Sequence, residues 1–472
     1  MTDSPIVRAP MDPAEQPILD SLLGIRNQLE FMKQDRSCFV KSEEVMRLYA
    51  ETVKQVNKLN EIRTHKRDEQ NRVDTVLDDC FQLISLGFMV IGKNNEAPAI
   101  YSVVSTIKRL LDHLSEAAFY SPKDLDMISH QLQSFRQTIE RGRDTLDPHL
   151  VTLLEARLTI CETTLARLEK ILSKLTPELA PLYDKLVSIL RSLSACNVKA
   201  NYPKAEVADL MSQAKEIQIK LNLSGIHGTT EDLLESYAEK LKEMDKNGEA
   251  VDPDRLVTDL LTRCLMWGEI IEDRHGKLGD GFREQFDKLL SIRNSLESKS
   301  LLQAWSMRET DVYSYQRQLD RIDESRDPEG YFTNALGTRA DLQTQRTLLY
   351  LLRKSYALIY FLLTSSEPVS EALLPIYNQL KTLKKCLREV QKSGGVSSPR
   401  ELYPYKMKLN SVDKMRVDGK FMVNNSIPDG QAAVMALMED CYELTNKLQE
   451  EAEDLDQKDT PDEATSNITA AA

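Results

Sequence analysis

The chain has 472 residues, 41% apolar and 29% charged, with a formal net charge of −13. That balance fits folded domains rather than disorder. It also excludes the dense basic surface that general nucleic-acid binding by counterion release requires.

Glycine is scarce, while Leu, Glu, Lys, Gln and Arg abound. These residues lose little side-chain freedom in a helix, so an all-α fold is expected. Residues 1–12 are proline-rich, are expected to be disordered, and show no apolar core of a secretory signal. Asp12-Pro13-Ala14-Glu15 then reads as a helix start, with Asp as cap, Pro at the first position and Glu closing a capping box. The same device recurs at Ser121-Pro122, Asp147-Pro148, Asp252-Pro253 and Ser398-Pro399.

From Glu43 to Arg63, the positions Val45, Tyr49, Val53, Val56 and Leu59 predict one buried helical stripe. From Thr75 to Val90 the apolar face is broader, and Phe88–Ile91 reads as a helix end rather than a strand. Leu348–Leu363 is apolar on nearly all sides and is expected at the centre of the C-terminal bundle. Its greasiest run, Tyr356–Leu363, is too short to span a bilayer. Lys392–Ser398 is a glycine–serine linker, Val417–Gly430 reads as irregular, and Gln431–Glu451 as a last amphipathic helix. Eight acids against Lys458 mark an acidic C-terminal tail that is expected to be disordered.

Two blocks repeat. Leu22–Glu30 (LLGIRNQLE) and Leu289–Glu297 (LLSIRNSLE) are identical at seven of nine positions. Ile100-Tyr101 is echoed by Ile376-Tyr377, and SPKDL at Ser121–Leu125 by SPREL at Ser398–Leu402. Near-constant spacing over such a length indicates duplication of a whole folding unit. A weaker middle copy carries Pro181-Leu182-Tyr183 and Tyr202-Pro203-Lys204. The predicted organisation is a set of tandem duplicated antiparallel helical bundles. Residues 13–146 form the first repeat, 147–250 a partial second, and 251–417 a third that copies the first. Residues 418–451 hold the irregular segment and final helix, and 452–472 the tail.

Several residues stand out. Tyr101, Tyr183 and Tyr377 each precede a basic residue by about two turns: Arg109, Arg191 and Lys385. A repeated packing contact explains them, and a repeated ligand face is the sharper alternative. Arg26-Asn27 and Arg293-Asn294 sit in the best-matching block and suggest a structural hydrogen bond to a neighbouring helix. Arg26 with Glu30, and Arg293 with Glu297, are spaced to pair along a helix. Lys381, Lys384, Lys385, Arg388 and Lys392 lie mostly on one helical face. They are either a solvated stripe or a site for a phosphate, an acidic peptide or the chain's own acidic tail. Ser121, Ser398 and Thr460 precede proline and are candidate phosphorylation sites, although N-capping explains the first two.

Seven cysteines are scattered without a paired motif, as expected of core thiols in a reducing compartment. The six histidines show no metal-ligand spacing. No nucleophile elbow, phosphate loop or dinucleotide fingerprint is present, so no cofactor, metal or catalytic residue is assigned.

The duplicated LLxIRNxLE and SP(K/R)(D/E)L blocks, with RTHKRDEQNRVDTVLDDCFQLISLGF at Arg63–Phe88, resemble a fungal family of helical proteins known as a domain of unknown function. The likeness covers residues 16 to 450. It implies a soluble protein of the cytoplasm, with the nucleus as a second location, and carries over no functional residue. The reading that follows is a non-enzymatic scaffold or adaptor that binds partner proteins of unknown identity through helical grooves. The alternatives are a phosphate- or phosphopeptide-binding regulator using the Lys381–Lys392 face, and an enzyme with an inter-helix site.

Overall fold

A computed structural model describes residues 12–63, 71–199, 201–221, 253–274, 278–279, 281–302, 307–424 and 426–459. The expectations for residues 1–11, Asp252, Thr460 and the tail from 460 onward lie outside those residues.

Local chemistry sets the helix starts. Asp12 accepts from the Ala14 N–H ahead of a 3-10 turn at Pro13–Glu15, and α1 (Gln16–Gln34) follows. In α2 (Ser42–Ile62) the buried stripe is Val45, Leu48, Thr52 and Leu59, with Tyr49, Val53 and Val56 half-buried at its edge. Asn71 and Asp74 close a reciprocal capping box at the start of α3 (Arg72–Val90), which is buried on nearly every side from Val76 onward. The run at Phe88 is indeed the end of this helix.

The chain continues through α4 (Ile100–Ala117), α5 (Pro122–Gly142), α6 (Pro148–Leu172), α7 (Ala180–Asn197), α8 (Lys204–Lys220), α9 (Pro253–Arg274) and α10 (Arg283–Leu302). It ends with α11 (Val312–Glu324), α12 (Leu342–Thr364), α13 (Leu374–Lys392), α14 (Tyr403–Asp413) and α15 (Gln431–Asp459), which runs past the expected Glu451. These are fifteen α-helices among the described residues, so the fold is all-α. The segment expected to be irregular contains one small antiparallel hairpin, β1 (Arg416–Val417) with β2 (Lys420–Phe421). Its turn residues, Asp418 and Gly419, both take positive φ, as a tight two-residue hairpin turn demands.

Two compact units form. The first comprises residues 1–95, 305–310 and 366–472, and the second 96–304 and 311–365. The repeat blocks are distributed between them. α1, with the first LLxIRNxLE block, and α13, with Ile376-Tyr377, belong to the first unit. α10, with the second such block, and α4, with Ile100-Tyr101, belong to the second. Each copy is therefore divided at the same point, before the helix that carries the repeated Ile-Tyr.

In the first unit α1 packs on α2 and α3, and α13 packs on α15. The two halves meet where Val369-Ser370 crosses Gly92 and Gly430. A side chain at Gly92 would lie 2.5 Å from the Ser370 nitrogen, and one at Gly430 2.7 Å from the Val369 Cα. Both glycines also take positive φ, so only glycine fits. Backbone hydrogen bonds from Glu371 to Val90 (2.8 Å) and from Ser370 to Asp429 (3.1 Å) fix the crossing. In the second unit α12 is the central element, touching α4, α7, α10 and α11. The apolar run expected at the core of a C-terminal bundle thus builds a core shared with α4, while the C-terminal helices α13–α15 build a separate one.

Candidate interaction sites

A concave surface lies in the first unit, between the end of α1 and the start of α2. α1 stops at Gln34 because Asp35 turns the chain, its carboxylate accepting from the Ser37 N–H (2.8 Å) and hydroxyl (2.6 Å). These two bonds hold the Asp35 carboxyl below its ordinary pKa. Arg308, only 2% exposed, supports the turn from inside. It donates to the carbonyls of Asp35 (2.6 Å) and Cys38 (3.0 Å) and pairs with Glu371 (2.6 Å). The result is a groove of about 460 Å³ lined by Asn27, Phe31, Met32, Cys38, Phe39 and Val40, with Asp35, Glu44 and Arg47 among its polar lining. Phe31 is 69% exposed and Phe39 38%. Arg47 is already engaged, with Gln28 (3.0 Å) and Glu51 (2.8 Å).

The repeated Arg-Asn pair divides between roles. Asn27 lines the groove, and Asn294 is exposed on α10. Arg26 reaches across to Asp79 on α3 (3.5 Å), so the expected pairing with Glu30 gives way to an inter-helix contact. Arg293 does pair with Glu297 (2.9 Å), and its charge acts on Tyr350 of α12. The two copies thus keep one sequence while meeting different neighbours.

The basic residues of α13 are only partly available. Lys384 faces α15 and pairs with Asp440, Lys381 pairs with Glu367 (2.7 Å), and Lys392 with Glu389 (2.9 Å). Lys385 and Arg388 are exposed, and no salt bridge joins either to another described residue. Of the repeated tyrosines, Tyr101 and Tyr183 are buried, and the Arg157 guanidinium lies 4.2 Å from the Tyr101 ring centre. Tyr377 is half-buried, and burial with the neighbouring Glu367 pushes its hydroxyl up to about 12. Ser121 caps α5 in a full capping box with Asp124, which Arg191 also grips (2.6 Å). Ser398 caps a 3-10 turn, Pro399–Leu402.

Two polar clusters escaped the sequence reading. Glu15 does not close a capping box. It is fully buried and accepts from Arg63 through both oxygens (2.8 and 2.9 Å) and from Asn71 (2.8 Å). The Arg63 bonds hold its carboxyl below the ordinary value against the cost of burial. In the second unit Arg109 and His113 of α4 meet Asp320, Asp323 and Glu324 of α11. Tyr356 of α12 donates to Asp320 at 2.7 Å. Burial raises Asp320 despite Arg109. Burial acts the same way on Asp323, but the His113 hydrogen bond and the charges of His113, Arg326 and Arg109 overturn it and hold Asp323 at about 2. The signal was legible, since bases four apart on α4 match acids three and four apart on α11, but nothing local paired the two helices.

The buried thiols behave as core groups. Cys80, Cys161, Cys264 and Cys441 each direct a thiol at a backbone carbonyl of another helix. Burial pushes Cys80, Cys161 and Cys264 up to about 12, far from thiolate chemistry. Among the described residues no group of three or more His, Cys, Asp or Glu could hold a metal ion. Among those residues, too, no helix is long and apolar enough to cross a membrane.

Comparison with known proteins places the chain. Residues 172–309 and 310–392 match a family described as a protein of unknown function (DUF2408). A CUB1 family protein of Schizosaccharomyces pombe is 35% identical over 450 residues, covering 94% of each chain. The chain belongs to this family. A Saccharomyces cerevisiae member, named Cu(2+) suppressing and bleomycin sensitive protein 1, is 32% identical over 510 residues. That match covers 94% of this chain and 92% of the relative. The fungal resemblance carried by the duplicated blocks is therefore correct. No solved structure matches the chain.

Proposed function

We propose that this family member is a non-enzymatic scaffold that binds partner proteins, and that the α1–α2 groove receives the partner. The observation that carries this reading is the pair Phe31 and Phe39, exposed around a groove beside the Asp35–Cys38 turn, whose carbonyls accept from Arg308. Exposed aromatics beside a preformed concavity mark protein interaction sites more than random surface does. Asp35 and Glu44 leave an acidic margin because Arg47 is already bonded elsewhere. The partner segment that fits has an aromatic or aliphatic anchor flanked by Lys or Arg.

A cytoplasmic and nuclear location belongs to the same proposal, supported by seven cysteines that are all free. The phosphate-binding alternative on α13 is narrowed to Lys385 and Arg388, because the other three bases are neutralised.

The test is quantitative affinity purification of the wild type beside Phe31→Glu with Phe39→Glu. A defined subset of proteins should fall roughly tenfold or more, as when an anchor worth over ~1.4 kcal/mol is lost. Helical circular dichroism should not change. An unaltered set of bound proteins refutes the groove.

A further inference from the structure

We propose that the second unit contains a binding site for a small, multiply charged phosphate compound, built by Arg263, Arg326, Arg346 and Arg353. The site is independent of the groove in the first unit.

Four arginines gather around the C-terminal end of α4. Arg326 pairs with Glu116 at 2.8 Å, and Arg353 lies 3.5 Å from the other oxygen of the same carboxylate. Arg263 donates to the carbonyls of Ala117 (2.8 Å) and Ala118 (3.4 Å). Arg346 lies two turns before Arg353 on α12, its guanidinium 5.5 Å from the ring centre of Trp267. Trp267 is one turn after Arg263 on α9. The four side chains therefore belong to one neighbourhood of α4, α9 and α12 together with the chain after α11.

Among the described residues the charges of Arg326, Arg346 and Arg353 do not balance. Glu116 is the carboxylate that Arg326 and Arg353 share. Asp323, the other acid within reach of Arg326, also serves Arg109 and His113. The end of α4 adds only the partial negative charge of its last carbonyls, two of which accept from Arg263. No hydrogen bond or ion pair joins Arg346 to another described residue. The Nε–H groups of Arg326 and Arg353 are buried without an acceptor. Unpaired buried donors and adjacent like charges are both costly, and here they occur in a chain whose overall charge is −13. The crowding is felt at Arg346, which burial and the charges of Arg263 and Arg353 pull down to about 9.

The missing counter-charge has a definable chemistry. A guanidinium presents a planar fork that matches phosphate oxygens, and several forks can share one polyphosphate. A single carboxylate would offset only one charge. The arginine side chains are only modestly exposed, 14% at Arg326 and 21% at Arg353, so the ligand must be compact.

Trp267 reports on the site directly. In the full chain with Trp305→Phe it is the sole tryptophan. Sodium tripolyphosphate, titrated at constant ionic strength, should change its fluorescence saturably and raise the melting temperature by a few degrees. Arg346→Gln should weaken the response at least tenfold and, by relieving repulsion, should melt no lower than the parent without ligand. Arg353→Gln provides a second loss-of-response variant. The proposal is overturned if the parent shows no saturable response or if matched sodium chloride reproduces it. It is equally overturned if both variants respond like the parent.

Discussion

Between α13 and α15 of the first unit, Leu380, Leu387, Cys441 and Leu448 are fully buried against one another. Between α4, α11 and α12 of the second unit, His113, Asp320, Asp323 and Tyr356 are nearly as buried, and ion pairs and hydrogen bonds join them. An apolar seam is non-directional and tolerates repacking as long as volume is kept. A charged seam fixes which helices meet, because each ion left alone would pay its full desolvation. This cluster of the second unit therefore depends on specific partners where the C-terminal core depends on shape.

The largest expected effect separates these two regimes by swaps of equal size. Asp323→Asn removes the charge that answers His113, Arg109 and Arg326, and should cost about 3–5 kcal/mol in denaturant unfolding. Leu380→Met keeps volume and polarity and should cost less than about 1.5 kcal/mol. Equal losses would mean that the charged seam is ordinary packing.

A sharper probe comes from Glu15, a fully buried acid of the α1–α3 half. Its folded pKa is depressed, so its contribution is complete above the ordinary value of 4.5 and is lost as pH falls through the folded value. Glu15→Gln should cost about 1–3 kcal/mol at pH 7 and flatten the decline of stability in acid. An acid limb as steep as in the parent would show that Glu15 does not carry it. The smallest effect is at the surface: Ser121→Ala removes the α5 cap and should cost about 1 kcal/mol by thermal melting.

What the sequence disclosed follows from how far each signal reaches. Caps such as Asp12, Ser121 and Asp147 act within three residues, so the helix starts were readable, and so was the all-α class. The repeat was readable because α1 and α10 keep the same nine-residue block. The fates of Arg26 and Arg293 were not, since the first pairs with a residue on another helix while the second pairs one turn away. Arg109 shows the same limit, because its acids lie more than two hundred positions downstream. The groove was hidden for a related reason. Phe31, Phe39 and Val40 straddle a break between helices, and the arginine that shapes them comes from residue 308.

The central claim, a partner segment seated between α1 and α2, is tested most directly by a photo-crosslinking amino acid placed at Phe39 in cells. The account predicts covalent capture of a discrete protein through a short segment that carries an apolar anchor beside basic residues. The same probe at Leu336, a lone apolar side chain 90% exposed, should capture none of it. Indistinguishable products from the two positions would contradict the claim.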